Sequence, residues 1–395
     1  MRFSARVSSN LTPNRLSTAL AGLKAQGRPI LDLTVSNPTA VGLDYPDDLL
    51  APLGVRQALG YASEPFGMLT ARQAVSLDYA RRGLQMPADR IALTASTSEA
   101  YSLLFKLLCD PADEVLIPRP SYPLFEHLTR LDAVRTVPYD LEYHGRWVLD
   151  RASLERASSS RTRAVLVVSP NNPTGSYVTG RELREIATIC RAVGAALVCD
   201  EVFADYPLAA DRAADAGHAP ELDDVLGFNL GGLSKSVGLP QAKLAWIGVS
   251  GPESIVRMAL QRLEIACDAY LSVSTSVQCA TGELLDRGAV VRRQISERVR
   301  ANLLFLVSRT AETPACRVLA PEAGWSAVVQ VPSFVSEEEL ILELLTNDGV
   351  LVHPGYFFDF AAESFLVLSL LPMEDVFSEG VSRIMRHFDC TGAAA

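Results

Sequence analysis

Residues 228–249 read FNLGGLSKSVGLPQAKLAWIGV. An apolar run opens the stretch and breaks at Gly231-Gly232 into the dipeptide Ser234-Lys235. The chain returns through Gly238, Pro240 and Lys243 to a second apolar run, Leu244–Val249. Short apolar runs bounded by glycine read as buried strands. A lysine between a glycine break and such strands stands at a sheet edge, where the clefts of open α/β folds form. There it would be partly desolvated, which lowers its pKa and frees its lone pair for carbonyl chemistry. An isolated Ser-Lys pair is ordinarily surface loop; the matching pieces elsewhere in the chain set this one apart.

Upstream, short apolar runs alternate with helical stretches. Arg90–Leu93, Glu114–Ile117, Val134–Pro138, Arg163–Ser169, Ala195–Cys199 and Val225–Leu230 read as strands, and Thr179–Val193 as a helix. Arg163–Ser169, RAVLVVS, has the continuous β-branched character of a strand buried on both faces. The alternation implies an α/β fold with a mainly parallel sheet and right-handed crossovers. Three strands end in polar residues: Ser169 runs into Pro170-Asn171-Asn172-Pro173-Thr174-Gly175, Cys199 into Asp200-Glu201, and Leu230 into the lysine turn. Sites in open α/β sheets gather at the carboxyl ends of strands. An aspartate straight after a strand can also cap the next helix; its company with Asn172 and Lys235 favours a site.

Other stretches carry two readings each. Thr94-Ala95-Ser96-Thr97-Ser98-Glu99 lies between a strand and a helix. It reads either as an anion site, where N–H groups, hydroxyls and the helix dipole converge, or as simple capping by Ser96 or Thr97. Three prolines in Pro118-Arg119-Pro120-Ser121-Tyr122-Pro123 hold Tyr122 either as a platform for a planar ligand or as packing. Ile30–Val35 stops at Ser36-Asn37-Pro38-Thr39, a turn that could also line a site. After Pro252 come helices at Glu253–Ile265, Thr275–Leu285 and Val290–Ser308. Strands at Trp325–Val331, Val350–His353 and Phe365–Leu370 then mix with helices Glu337–Asn347 and Glu374–Phe388.

The 395 residues suffice for one large α/β domain and a smaller one. At 48% hydrophobic and 21% charged, the chain is expected to be globular and soluble. A net charge of −10 argues against a nucleic-acid binder, which needs a basic face. No apolar stretch is long enough to span a bilayer, and MRFSARVSSN lacks the apolar core of a signal peptide. Seven cysteines (109, 190, 199, 267, 279, 316 and 390) form no CxxC pair, so reduced, buried thiols in the cytoplasm are expected. Five scattered histidines give no metal cluster.

Asn171-Asn172-Pro173-Thr174-Gly175, Asp200-Glu201-Val202 and Leu233-Ser234-Lys235, in this order and spacing, resemble the class I/II aminotransferases nearly end to end. These are fold-type I enzymes dependent on pyridoxal 5′-phosphate (PLP). The resemblance implies a large PLP-binding domain, residues 41–285, with a mainly parallel seven-stranded sheet flanked by helices. It also implies a smaller α+β domain built from residues 1–40 and 286–395. The activity implied is transfer of an amino group from an amino acid to a 2-oxo acid in a ping-pong cycle. Lys235 would hold PLP as a Schiff base, exchange with the substrate amine and shuttle a proton. Asp200 would keep the pyridine nitrogen protonated, Asn172 would donate to the phenolic oxygen, and Tyr122 would stack on the ring. Ser96, Thr97 and Ser98 would bind the phosphate, with Ser234 and Lys243 completing the cup. Tyr61 would reach the phosphate of a neighbouring subunit, which requires a homodimer with shared active sites.

Three positions depart from the family pattern. Phe203 stands where a tyrosine commonly bonds the phenolic oxygen, leaving Asn172 as principal donor and predicting a higher Schiff-base pKa. Lys243 stands in place of an arginine and loses the bidentate fork. Val367, in Phe365-Leu366-Val367-Leu368-Ser369, occupies the place of the arginine that usually grips the substrate carboxylate. Arg15 and Arg72 are candidate replacements; Asn37, His353, Tyr356 and Phe357 are candidate pocket residues. The same cofactor site could alternatively serve a C–S β-lyase or a decarboxylase. A PLP-binding sensor is a further alternative, but it would need a fused DNA-reading domain that the N-terminal stretch does not supply.

Overall fold

Strands form where alternate residues find an apolar layer on each side. The computed structural model describes residues 1, 3–362 and 364–392. In chain order its strands are β1 (Leu31–Asp32), β2 (Ile91–Thr94), β3 (Glu114–Arg119), β4 (Arg135–Tyr143), β5 (Trp147–Leu149), β6 (Thr162–Val168) and β7 (Ala196–Asp200). There follow β8 (Gly227–Gly232), β9 (Ala245–Ser250), β10 (Arg317–Leu319), β11 (Ser326–Gln330), β12 (Val350–Leu351), β13 (His353–Pro354) and β14 (Phe365–Ser369).

The large sheet has the order β2-β9-β8-β7-β6-β3-β4-β5. The contacts from β8 through β7, β6 and β3 to β4 are all parallel. Only β9, against both β2 and β8, and the short β5, against β4, run antiparallel. The expected α/β fold with a mainly parallel sheet flanked by helices is therefore present. An eighth strand, β5, extends the seven expected; at three residues its period is too short to read in sequence. Along β6 the side chains divide by parity. Ala164, Leu166 and Val168 pack with Ala100 and Leu104 of helix Thr97–Leu108. Val165 and Val167 pack with Leu183, Ile186 and Cys190 of helix Gly180–Val193. That helix starts on a reciprocal cap between Thr179 and Glu182 and ends at Gly194 in the left-handed region.

A second, four-stranded antiparallel sheet has the order β10-β11-β14-β13. Ser326 pairs with Ser369, Val328 with Val367, and Val367 with His353, so these five side chains leave one face of it. β1, from the N-terminal stretch, pairs in parallel with β12. The long helix Ala289–Ala311 ties in beside them: the buried Asn302 amide donates to the carbonyls of Leu370 and Pro372 at 2.9 and 2.8 Å.

This topology fixes where chemistry can happen. Since β9 opposes both its neighbours, β2 runs in the same direction as β8, β7, β6 and β3. Their carboxyl ends, and the start of β9, share one edge. The turns after Thr94, Val168, Asp200 and Gly232 are brought together there, along with the residues just before Ala245. Among the described residues no helix is long and apolar enough to cross a membrane. Six cysteines are free; the side chain of Cys390 lies outside the described residues.

Candidate active site

At that shared edge lies a cavity of about 240 Å³ roofed by one face of the smaller sheet. Lys235, Asp200, Asn172, Tyr122, Thr97 and Ser98 line it from the large-sheet side. Ser326, His353, Val367 and Ser369 line it from the roof.

Gly231 and Gly232 end β8 because the next strand lies close against them. A Cβ at Gly231 would stand 2.6 Å from Trp246 Nε1. The chain then winds into the short helix Leu233–Ser236, which carries Lys235. Lys235 Nζ lies 4.7 Å from the Trp325 ring centroid and 5.5 Å from that of Phe203, and donates to the Ser36 carbonyl at 3.4 Å. Burial pushes its pKa down to about 8, against the opposing pull of the Asp200 charge. Such a lysine is partly free base near neutrality.

Asp200 is the last residue of β7 and is buried. Its Oδ2 accepts the Tyr101 hydroxyl at 2.8 Å and its Oδ1 accepts the Val202 N–H at 3.1 Å. Burial lifts its pKa to about 6, moderated by these two hydrogen bonds. Among the described residues it is a buried carboxylate that forms no ion pair. Next to it, Glu201 has its partners. Burial would raise it, but Arg82 and His218 (Nδ1 at 3.0 Å) outweigh burial and hold it at about 2.

Asn172 is presented by a loop with its own internal bonding. Asn171 Oδ1 accepts the Thr174 hydroxyl at 3.0 Å, and the Gly175 N–H returns to the Asn171 carbonyl at 2.8 Å. Gly175 has φ of +69°, and a Cβ there would lie 2.4 Å from the Ala323 carbonyl, so only glycine closes this loop. Asn172 Oδ1 lies 3.5 Å from Ser326 Oγ.

Thr97 and Ser98 stand at the start of helix Thr97–Leu108, whose first N–H groups face the cavity edge. The capping reading holds for Ser96, while Thr97 and Ser98 line the cavity. Ser96 is the cap, its Oγ accepting the Glu99 N–H at 3.1 Å, and does not line the cavity. Tyr122, 45% exposed, lines the wall with Leu124, Phe125 and Leu128.

Several sequence candidates do not reach the cavity. Arg15 is an exposed surface group paired with Glu338 at 2.8 Å. Asn37 is exposed and accepts the N–H of Thr39 within its own turn. Tyr356 is exposed outside the lining, its N–H donating to Glu337. Arg72 bonds the Gly67 and Ala88 carbonyls, both at 2.9 Å, bracing its own loop. Ser234 is half-buried and does not line the cavity. Lys243 is exposed before β9 with φ of +51°, a conformation that non-glycine residues hold at a cost. Tyr61 is 75% exposed and lies in a separate groove with Ser272 and Gln278.

The structure adds residues that the sequence did not flag. Tyr101, Trp325, Ser326 and Phe358 line the cavity, and Tyr206 donates its hydroxyl to the Lys235 carbonyl from behind. The one available signal was the alternation in β11 and β14, which puts Ser326, Val367 and Ser369 on a common face.

With this geometry in place, likenesses to known proteins can be weighed. The family described as aminotransferase class I and II matches residues 64–377. Alanine aminotransferase of Mycobacterium bovis is 27% identical, covering 92% of this chain and 86% of its own length. Glutamate-pyruvate aminotransferase AlaA of Escherichia coli is 24% identical, covering 92% and 91%. Among solved structures, alanine aminotransferase from Pyrococcus furiosus matches with a TM-score of 0.88 at 21% identity, covering 98% of this chain and 100% of that one. An aminotransferase from Escherichia coli matches at 0.85 with 22% identity, covering 98% of each. At such identities the solved structures speak to the fold, which is that of the fold-type I aminotransferases.

Proposed function

Because the chain belongs to the aminotransferase class I and II family and so transfers amino groups, we propose that it moves them between an amino acid and a 2-oxo acid, using PLP held around Lys235. One observation carries the reading: a lysine of lowered pKa, a buried carboxylate without an ion pair and a loop-held amide line one cavity.

These residues fit the cofactor. The unpaired Asp200 suits a protonated ring nitrogen, and the start of helix Thr97–Leu108 suits a phosphate. PLP, when bound, supplies an electron sink for negative charge developing at the substrate Cα. Lys235 would anchor it, and its amine, partly unprotonated near neutral pH, would take and return the Cα proton. Asp200 would hold a proton at the ring nitrogen. Asn172 would donate from Nδ2 to the ring oxygen, alone in this because Phe203 has no hydroxyl. Tyr122 would cover one ring face. Thr97 and Ser98 would bind the phosphate from the cavity edge.

The exposure of Tyr61 supports a homodimer in which this residue reaches the neighbouring subunit's cofactor. The two sheets support a division into a cofactor-binding domain, 41–285, and a smaller one from 1–40 and 286–395. The free cysteines support a cytoplasmic address.

The relatives' names make L-alanine the first donor to test. Holoenzyme mixed with L-alanine and no acceptor is expected to release one pyruvate per site and then stop, with no ammonia. L-alanine carries no leaving group at Cβ, so S-methyl-L-cysteine tests the alternative: continued release of ammonia, pyruvate and methanethiol from it would instead assign a C–S lyase.

A further inference from the structure

Val367 leaves open what meets the carboxylate of an amino-acid substrate. It is buried against Trp147, Leu319, Val328 and Phe358, an apolar cluster with no donor for an anion on the cavity side. Directly opposite it in the β13–β14 register stands His353. Paired residues project on the same side of a sheet, and both of these line the cavity.

Among the described lining residues the basic side chains are Lys235 and His353; burial lowers the His353 pKa against the pull of the Asp32 charge, leaving its imidazole a neutral N–H donor near pH 7. Lys235 is engaged by the amine chemistry. Two hydroxyls are spent, Ser369 donating to the Val35 carbonyl and Thr34 to Asp32 Oδ1, both at 2.6 Å, and Ser326 Oγ faces Asn172 Oδ1 at 3.5 Å. The His353 ring is steadied by Phe357 and Phe358, each with centroids 5.8 Å away. No hydrogen bond occupies either of its nitrogens among the described residues. A carboxylate inside a mostly apolar cavity is costly unless a donor meets it. The buried Trp325 Nε1–H is also without a partner among the described residues, but beside Val367 on the roof the donor that is positioned, oriented and unspent is the His353 imidazole.

We propose that His353 receives the substrate carboxylate, from the strand opposite Val367. This rests on the amino-acid reading above. An imidazole offers one hydrogen bond per nitrogen where a guanidinium offers a parallel pair. The grip is therefore single-pronged, and His353 contributes to substrate binding rather than to proton transfer at Cα.

The test uses holoenzyme of wild type, His353→Ala and His353→Gln, with cofactor loading checked by visible absorbance. Two matched pairs are compared: L-alanine with ethylamine, and L-phenylalanine with phenethylamine. Quenching of tryptophan fluorescence reports binding of 3-phenylpropanoate and of 3-phenylpropan-1-ol, since Trp325 lines the cavity. Losing a hydrogen bond to a charged group is expected to raise KM for the amino acid roughly 10- to 100-fold in His353→Ala. kcat should change little, and His353→Gln should recover part of the loss. The dissociation constant of the propanoate should rise by a similar factor while that of the alcohol stays put. The inference is overturned if KM for amino acid and amine move together or not at all. It also falls if wild type uses ethylamine as well as L-alanine. If no donor reacts but propanoate binding still depends on His353, the carboxylate site stands and the proposed activity falls instead.

Discussion

Tyr101 donates its hydroxyl to Asp200 Oδ2 at 2.8 Å, joining a residue of helix Thr97–Leu108 to the last residue of β7. Both groups are buried, and burial is what lifts Asp200 to about 6. The hydroxyl favours the ionised carboxylate and keeps it mostly charged at neutral pH.

Tyr101→Phe is therefore expected to raise the Asp200 pKa further and weaken cofactor binding. A hydrogen bond to a charged group is worth about 1.5–3 kcal/mol, or at least ~10-fold in affinity. Titrating cofactor-free protein with PLP at pH 7 and pH 9 checks this. The deficit should shrink at pH 9, where the carboxylate is ionised with or without the tyrosine.

Glu201 is held at about 2 by Arg82 and His218 despite complete burial. Removing one partner of a buried ion pair leaves a stranded charge and costs about 3–5 kcal/mol. Glu201→Gln is expected to lose an amount of this order in urea unfolding at pH 7. Its folded pKa lies below the ordinary carboxylate value, so its contribution is complete above about pH 4.5 and fades as pH falls toward 2. At low pH the variant and wild type should converge.

The turn that carries Lys235 is held from behind. Tyr206 donates to the Lys235 carbonyl, and Arg292 Nε donates to the Ser236 carbonyl at 2.7 Å. Tyr206→Phe strands a buried carbonyl, at about 1–3 kcal/mol. The expected result is lower stability together with a lower kcat at nearly unchanged KM, measured by denaturant unfolding and steady-state kinetics.

Asp200 and Lys235 make the cofactor-free protein sensitive to pH in opposite senses. Asp200 rises from 3.8 to about 6 on folding, so its contribution is present below pH 3.8 and lost as pH climbs through 6. Lys235 falls from 10.5 to about 8, so its contribution is complete above 10.5 and lost as pH drops through 8. The stability difference between wild type and Asp200→Asn should therefore fall between pH 4 and 6 by on the order of 3 kcal/mol. Chemical denaturation of both proteins across that range would show it; a flat difference would refute the assigned shift.

Much of this architecture could be read from local sequence, for a physical reason. β6 is apolar throughout because both its faces are covered, and Asp200 and Lys235 stand out because they interrupt such runs. Tyr101 escaped notice because it is four residues before Phe105 on one helix face, the spacing of ordinary core. Its partner lies 99 residues away. Tyr206 reaches a carbonyl 29 residues away, and Trp325 comes over Lys235 from a strand entry far along the chain. Arg15 and Asn37 misled because their charge and polarity are met outside the cavity, Asn37 by Thr39 in its own turn and Arg15 by Glu338 on the surface, 323 residues on. His353 is one of several pocket candidates in the sequence, and only register singles it out by setting it opposite Val367.

The most direct measurement is the visible absorption spectrum of purified protein reconstituted with PLP, for wild type and Lys235→Ala at matched concentration. The account predicts a visible band of lysine-bound cofactor in wild type that is bleached by an amino-acid donor and is absent from Lys235→Ala. A variant that keeps the same band, or a wild type that binds no PLP at all, would contradict it.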